Sequence, residues 1–174
     1  MSSTPMSTIS AHCVSVMHTK SRTAANYWLL DLLPENQLLI SSRDARALGF
    51  GDGDWARLVS ATNPDGTWPI GNDRTWPMVG KLKVVEGIRP GVVAFSLGHG
   101  HWAYGASDVV IDGDTVSGDR RRAAGFHGNA AMRIDPYLKN TCLADLTGGS
   151  AVFYDTSVRL EHASESDAAA PVTV

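Results

Sequence analysis

The residues best suited to chemistry lie in one short segment, the sequence GHGHW at positions 98–102. His99 and His101 stand two residues apart, and Trp102 follows at once. Glycines on both sides of His99 let the backbone approach a ligand closely, and aromatic side chains stack on flat rings. This composition predicts a binding loop for a ligand that contains a ring system. We name the segment Gly98–Trp102 the histidine loop.

The same histidine spacing is compatible with a metal site. Residues i and i+2 of a strand share one face, so two imidazoles placed there can bind one ion. A catalytic metal needs a third ligand, for which His127, Asp108 and Glu86 are candidates. The flanking glycines favour a loop over a strand, where a shared face is not assured, so we expect no metal ligand in this chain. Histidines held only by local hydrogen bonds are the other alternative.

Two basic segments are candidates for binding an anion. The first, at 18–22, reads HTKSR, and the second is the run Arg120–Arg122. Lysine and arginine supply charge-assisted donors to phosphate. Each segment is also typical of a solvated surface, and Arg120–Arg122 is compatible with contact to a larger subunit. The sequence contains no serine nucleophile elbow, Walker loop or paired Cys-x-x-Cys motif, so we predict no catalytic residue.

Short strands are expected to position these segments. Seventeen glycines and eight prolines favour β structure with many turns. The turn Pro90-Gly91 introduces a strand, Val92–Phe95, that leads into the histidine loop. Ser42 and Gly49 are placed to cap a short helix at Arg43–Leu48. Alternation and turn residues predict further strands at 11–17, 37–41, 55–60, 81–84 and 152–161, a β-hairpin at 107–118, and a long hairpin loop or insertion at 63–77.

Bulk composition excludes several classes of function. The chain has 174 residues, enough for one domain with a core. A net charge of −3 argues against a nucleic-acid binder, and no apolar run reaches the length of a membrane span. Two cysteines cannot form a disulfide framework. The polar start lacks the pattern of a signal peptide, which predicts a cytoplasmic protein. We expect residues 1–10 and 163–174 to be disordered.

Three longer segments resemble one known domain. In chain order they are PENQLLISSRDARALGFGDGDWARLVS at 34–60, EGIRPGVVAFSLGHGHW at 86–102 and NTCLADLTGGSAVFYDTSVRLE at 140–161. That domain has its corresponding segments in the same order. The three segments resemble the C-terminal molybdopterin-dinucleotide-binding domain of the dimethyl sulfoxide reductase family. The branch of tetrathionate, arsenate and polysulfide reductases is the most similar. Together the segments span most of Val14–Leu160.

The resemblance implies a fold and a set of contact residues. The fold is mainly β, a double-psi β-barrel with short helices and long loops, over residues 11–162. In the family, the loop after the first barrel strand lies against the pterin and pyrophosphate, and an Asn and a Thr near the C-terminus touch the pterin. The implied cofactor-binding residues are His18, Thr19, Lys20, Ser21, Arg22, His99, Gly100, His101, Trp102, Asn140 and Thr141.

The implied function is binding of molybdopterin guanine dinucleotide, in the bis form that holds molybdenum. The chain would act as a stand-alone or truncated domain of an oxidoreductase that reduces an oxyanion or a sulfur compound. Family enzymes carry their iron–sulfur cysteines and molybdenum ligand in other domains, so we expect no iron–sulfur cluster here and no activity alone. The partner would be a larger catalytic subunit or the missing N-terminal domains, and export with it would make the protein periplasmic. Alternatives are a non-catalytic double-psi barrel used for protein contacts and a small histidine-metal enzyme.

Overall fold

A computed structural model of the chain describes residues 6–11, 25–102, 105–132, 137–138, 144–150, 156–168 and 172–173. The strands are β1 (Met6–Ala11), β2 (Leu38–Ser41), β3 (Trp55–Ser60), β4 (Thr67–Gly71), β5 (Arg74–Pro77), β6 (Val79–Val85), β7 (Val92–Ser96), β8 (Val109–Ile111), β9 (Asp114–Val116), β10 (Thr156–His162) and β11 (Val172–Thr173). The helices are α1 (Tyr27–Leu32), α2 (Ser42–Leu48), the 3₁₀ helix η1 (Arg120–Ala123), α3 (Gly128–Ala131) and α4 (Glu165–Ala168). The prediction of a mainly β fold with short helices is confirmed. None of these helices is long and apolar enough to cross a membrane.

Six strands close into a barrel in the order β1-β10-β3-β6-β2-β7, and β7 returns to pair with β1. Two of the pairs are parallel: Ser7 of β1 lies opposite Val92 of β7, and Leu38 of β2 lies opposite Leu82 of β6. The other four pairs are antiparallel. The prediction of a barrel is confirmed at this level.

The barrel interior is filled by alternate residues of its strands. In β10, Val158 and Leu160 are buried while Ser157 and Arg159, which alternate with them, are exposed, as the alternation in the sequence predicts. Phe126 enters the same core from a loop and is fully buried. The other buried members are Leu38, Ile40, Ala45, Phe50, Ala56, Leu58, Met78, Leu82, Val93, Phe95 and Ala131. Each large apolar side chain buried here stabilises the fold by about 2 kcal/mol.

Helix α2 is capped one residue earlier than predicted. The cap is Ser41, not Ser42, because Ser41 has the extended backbone and its Oγ accepts from Asp44 N at 3.1 Å. Gly49 ends the helix with φ +78°, as predicted. The carboxylate of Asp44 also accepts from Gly91 N at 2.7 Å, which fixes the turn before β7.

Both ends of the chain contain more regular structure than predicted. Strand β1 begins at Met6, inside the segment 1–10 that we expected to be disordered. In the tail, α4 and β11 form, and Val172 pairs with Thr75 of β5. Small, polar composition misled the prediction because it does not reveal pairing with strands that are distant in the sequence. Part of the strand predicted at 11–17 lies outside the described residues.

Two smaller sheets flank the barrel. The segment predicted as a long hairpin loop forms β4 and β5, which join β11 in a three-stranded sheet. The predicted hairpin at 107–118 is confirmed as the pair β8–β9. Its turn residues Asp112 and Gly113 both have positive φ, 52° and 92°, which is typical of the tightest hairpin turns.

Candidate functional site

The histidine loop follows β7 after one residue, Leu97, and packs its backbone against a second segment, Ala124–His127. Gly100 N donates to Ala124 O at 2.9 Å. Gly100 has φ +72°, and a Cβ there would lie 2.5 Å from the carbonyl carbon of Phe126. Only glycine tolerates both this φ and this approach. The loop and the second segment therefore form one unit.

A buried amide ties this unit to the barrel. Asn36 Nδ2 donates to Ser96 O at 2.6 Å and to Phe126 O at 3.1 Å, and its Oδ1 accepts from Phe126 N at 2.7 Å. The side chain thus joins the end of β7 to the segment that supports the loop. Gly125 leaves room for the amide, since a Cβ there would overlap Asn36 Oδ1.

Three imidazoles come together at the loop. His99 is 3% exposed, and burial, helped by the proximity of His101, lowers its pKa to about 4. Burial also lowers the pKa of His101. Burial, and then His101, lowers the pKa of His127 to about 3. The rings of His101 and His127 lie 4.0 Å apart, centroid to centroid. At neutral pH all three are therefore uncharged and able to donate and accept hydrogen bonds.

A tryptophan from β4 extends this group. The ring of Trp68 meets that of His127 edge to face at 4.6 Å and lies 6.4 Å from that of His101. Two buried atoms here, Trp68 Nε1 and His127 Nδ1, have no hydrogen-bond partner in the described structure. Sequence reasoning assigned no role to the segment that supplies Trp68. Its two tryptophans were the signal that could have marked it.

Trp102, at the end of the histidine loop, contacts an aromatic ring and a cation. Its ring lies 4.8 Å from that of Trp76, and the guanidinium of Arg120 lies 5.2 Å from its centroid. A cation over an indole face is attractive. Arg120 is exposed and has no carboxylate partner among the residues described. Arg121, by contrast, pairs with Asp119 at 2.6 Å. The basic run thus places one arginine at the edge of the site.

The structure brings four of the predicted binding residues into this site: His99, Gly100, His101 and Trp102. The segment His18–Arg22 (His18, Thr19, Lys20, Ser21 and Arg22) and the residues Asn140 and Thr141 lie outside the described residues, so their place at the site stays a prediction.

The alternative of a metal centre depends on a third ligand beside His99 and His101. No three His, Cys, Asp or Glu side chains there are grouped as metal ligands. His127, considered as a third ligand, contacts His101 ring to ring. Glu86 accepts from Ser42 Oγ at 2.9 Å and Asp108 from Gly118 N at 2.8 Å, so both are engaged elsewhere.

Comparison with known proteins identifies relatives, although no family model matches the chain. It is 48% identical to the A subunit of selenate reductase from Mesobacillus selenatarsenatis, over 84% of its own length and 14% of that protein. It is 28% identical to the molybdopterin-containing subunit of arsenate respiratory reductase from Shewanella, over 70% of the chain and 15% of the relative. It is also 28% identical to the A subunit of tetrathionate reductase from Salmonella typhimurium, over 81% of the chain and 13% of the relative. The chain therefore spans about one seventh of these proteins.

A solved structure shares the fold. Acetylene hydratase from Pelobacter acetylenicus aligns with 91% of the chain and 18% of its own, at a TM-score of 0.58 and 14% identity. The selenate, arsenate and tetrathionate reductase subunits and this hydratase are all molybdopterin enzymes of one family. Over the part of the family's length that it spans, the chain belongs to the dimethyl sulfoxide reductase family of molybdopterin oxidoreductases.

Proposed function

We propose that this chain binds molybdopterin guanine dinucleotide as a stand-alone or truncated C-terminal domain or subunit of a molybdopterin-dependent oxidoreductase. The enzyme would reduce an oxyanion or a sulfur compound, since the named relatives act on selenate, arsenate and tetrathionate. The observation that carries the proposal is the histidine loop, in which a buried and a half-buried neutral imidazole and a cation-backed indole are held by a glycine that cannot be replaced.

The chemistry of these groups suits a pterin nucleotide. A pterin edge presents both donors and acceptors, and a neutral imidazole satisfies either one. The buried nitrogens of Trp68 and His127 that lack partners in the described structure add polar capacity beside the loop. An exposed guanidinium such as that of Arg120 suits a phosphate. His99, with a pKa of about 4, would bring no positive charge to the ring at neutral pH.

The residues of this chain would hold and orient the cofactor. In this assignment His99 and His101 hydrogen-bond the pterin edge, Trp102 packs on a ring, and Arg120 with the segment His18–Arg22 contacts phosphate. Asn140 and Thr141 complete the pterin contacts. The bound group would supply the redox chemistry through its metal. The parallel pairs β1–β7 and β2–β6 support the further proposal that the barrel is of the double-psi type.

The test is cofactor content in the assembled enzyme purified from its own host. Alanine replaces Ser21, Arg22, His99 or Asn140 in separate variants. We expect each to lower the molybdenum and pterin found per complex several-fold, because each removes a direct contact. The matched control is His162→Ala, since His162 is an exposed histidine that stacks on Phe50 instead of facing the loop. Full molybdenum and pterin content in all four variants would refute the site.

A further inference from the structure

The hairpin β8–β9 forms a sheet of its own and, among the residues described, makes no ladder with the barrel. Its base is fixed. Asp108 accepts from Gly118 N at 2.8 Å, and Asp119 N donates to Gly105 O at 2.8 Å. Gly118 packs so closely that a Cβ would lie 2.5 Å from the carbonyl carbon of Ser107. The hairpin therefore leaves the body in a defined direction, between the histidine loop and η1.

One face of this hairpin is apolar and open to solvent. Val109 lies opposite Val116, and Ile111 lies opposite Asp114. Three β-branched side chains therefore share a face, and Asp114 bounds that face at the tip of the hairpin. They are 47%, 51% and 56% exposed for Val109, Val116 and Ile111. An isolated two-stranded hairpin is marginal in water, and grouped exposed apolar side chains mark contact surfaces. The opposite face carries Val110, which is paired with Thr115.

The charge of the hairpin restricts what can cover it. Segment 107–118 contains three aspartates, Asp108, Asp112 and Asp114, and no lysine or arginine. Asp112 and Asp114 lie at the tip. A second copy of the hairpin would bring like charges together, which is unfavourable. A partner surface with an apolar centre and a basic rim would complement both the apolar face and the aspartates of the hairpin.

We infer that the face Val109–Ile111–Val116 docks on the larger catalytic subunit of the reductase, on an apolar surface rimmed by lysine or arginine. This inference rests on the proposed function, which supplies the partner. The chain spans 14% of its selenate reductase relative, so most of such a polypeptide lies outside it and is available to cover the hairpin. The hairpin base adjoins the segment that frames the histidine loop, so docking here would seat the loop against the larger part.

The test uses the full chain co-purified with the larger subunit from its host and measured by native mass spectrometry and titration. Ile111→Asp replaces an apolar side chain of this face by a charge, and we expect at least a tenfold loss of affinity for the larger subunit. Val110→Asp is the matched control, since it adds the same charge to the opposite face, and we expect a change of less than twofold. Thermal midpoints of both variants equal to that of the wild-type chain would establish that neither substitution destabilises the fold.

Docking through the hairpin and binding of the cofactor can fail independently. An Ile111→Asp chain that binds the larger subunit with wild-type affinity overturns the docking surface, whatever the pterin content. A wild-type chain that forms a dimer disrupted by Ile111→Asp overturns it as well, since the face then binds a second copy. A complex that contains no pterin but is lost on Ile111→Asp supports docking and refutes cofactor binding.

Discussion

At the scale of single residues, Gly100 decides the geometry of the histidine loop. Its φ of +72° is unfavourable for any other residue, at a cost of about 1–2 kcal/mol. A methyl group there would also meet the backbone of Phe126 and His127, which cannot move aside as a flexible side chain would. The positive φ and the close approach of the neighbouring backbone together require glycine at position 100.

Gly100→Ala should therefore lower the free energy of unfolding by about 3 kcal/mol, the sum of the φ cost and of displaced packing. Gly91→Ala separates the two causes, because Gly91 has φ +82° but nothing lies within 4 Å of the place that a Cβ would take. It should cost only about 1 kcal/mol. Urea unfolding of both variants measures this, and equal losses would show that the close approach does not matter.

At the scale of elements, the site depends on a link between β7 and the segment Ala124–His127. That link is the Asn36 side chain, which uses both its donors and its acceptor. This amide stabilises the fold by more than a single hydrogen bond does. Its removal would take a hydrogen-bond partner from three buried backbone groups, Ser96 O, Phe126 O and Phe126 N.

Asn36→Ala should destabilise the protein by about 3 kcal/mol, since three hydrogen bonds are lost at a buried position. Asn129→Ala, at an exposed position in α3, should change the unfolding free energy by less than about 0.5 kcal/mol. Thermal or urea unfolding distinguishes them. A loss in Asn36→Ala no larger than in Asn129→Ala would mean that the link carries no stability.

Elements defined by local pattern could be predicted from sequence, and those defined by distant pairing could not. Trp55–Ser60 was predicted with its observed bounds because polar turns limit it on both sides. The hairpin at 107–118 was found from its Asp-Gly turn. Strands β1 and β11 were missed because only their partners specify them. In the site, GHGHW carried its own signal, whereas Trp68 enters through the position of β4 beside the loop.

At the scale of the whole molecule, the buried His99 and the half-buried His101 and His127 make stability depend on pH. The folded-state pKa of His99 is about 4, below its ordinary value of 6.5. Above pH 6.5 the ring is neutral in both states and costs nothing. Below pH 6.5 the imidazole is protonated in the unfolded chain but not in the folded one, so stability falls until the pH reaches about 4. His101 and His127 act in the same direction.

The loss attributable to His99 is about 3 kcal/mol across this window. We expect His99→Gln to be less stable than wild type at about pH 7.5 but to lose less of its remaining stability on acidification. Urea unfolding at intervals from about pH 7.5 down to about pH 4.5 measures both slopes. Parallel curves for the variant and wild type would indicate that His99 does not titrate in this way.

The first strand of the barrel also sets the order of events during synthesis. Strand β1 pairs with β7 and β10, and Met6 meets Val158. During translation, β1 is therefore made before both of its partners. It can pair with β10 only after almost the whole domain has been translated. Unpaired strand edges recruit other chains. A nascent chain of this protein therefore exposes an unpaired edge of β1 until β10 is released, and the barrel closes only after that moment.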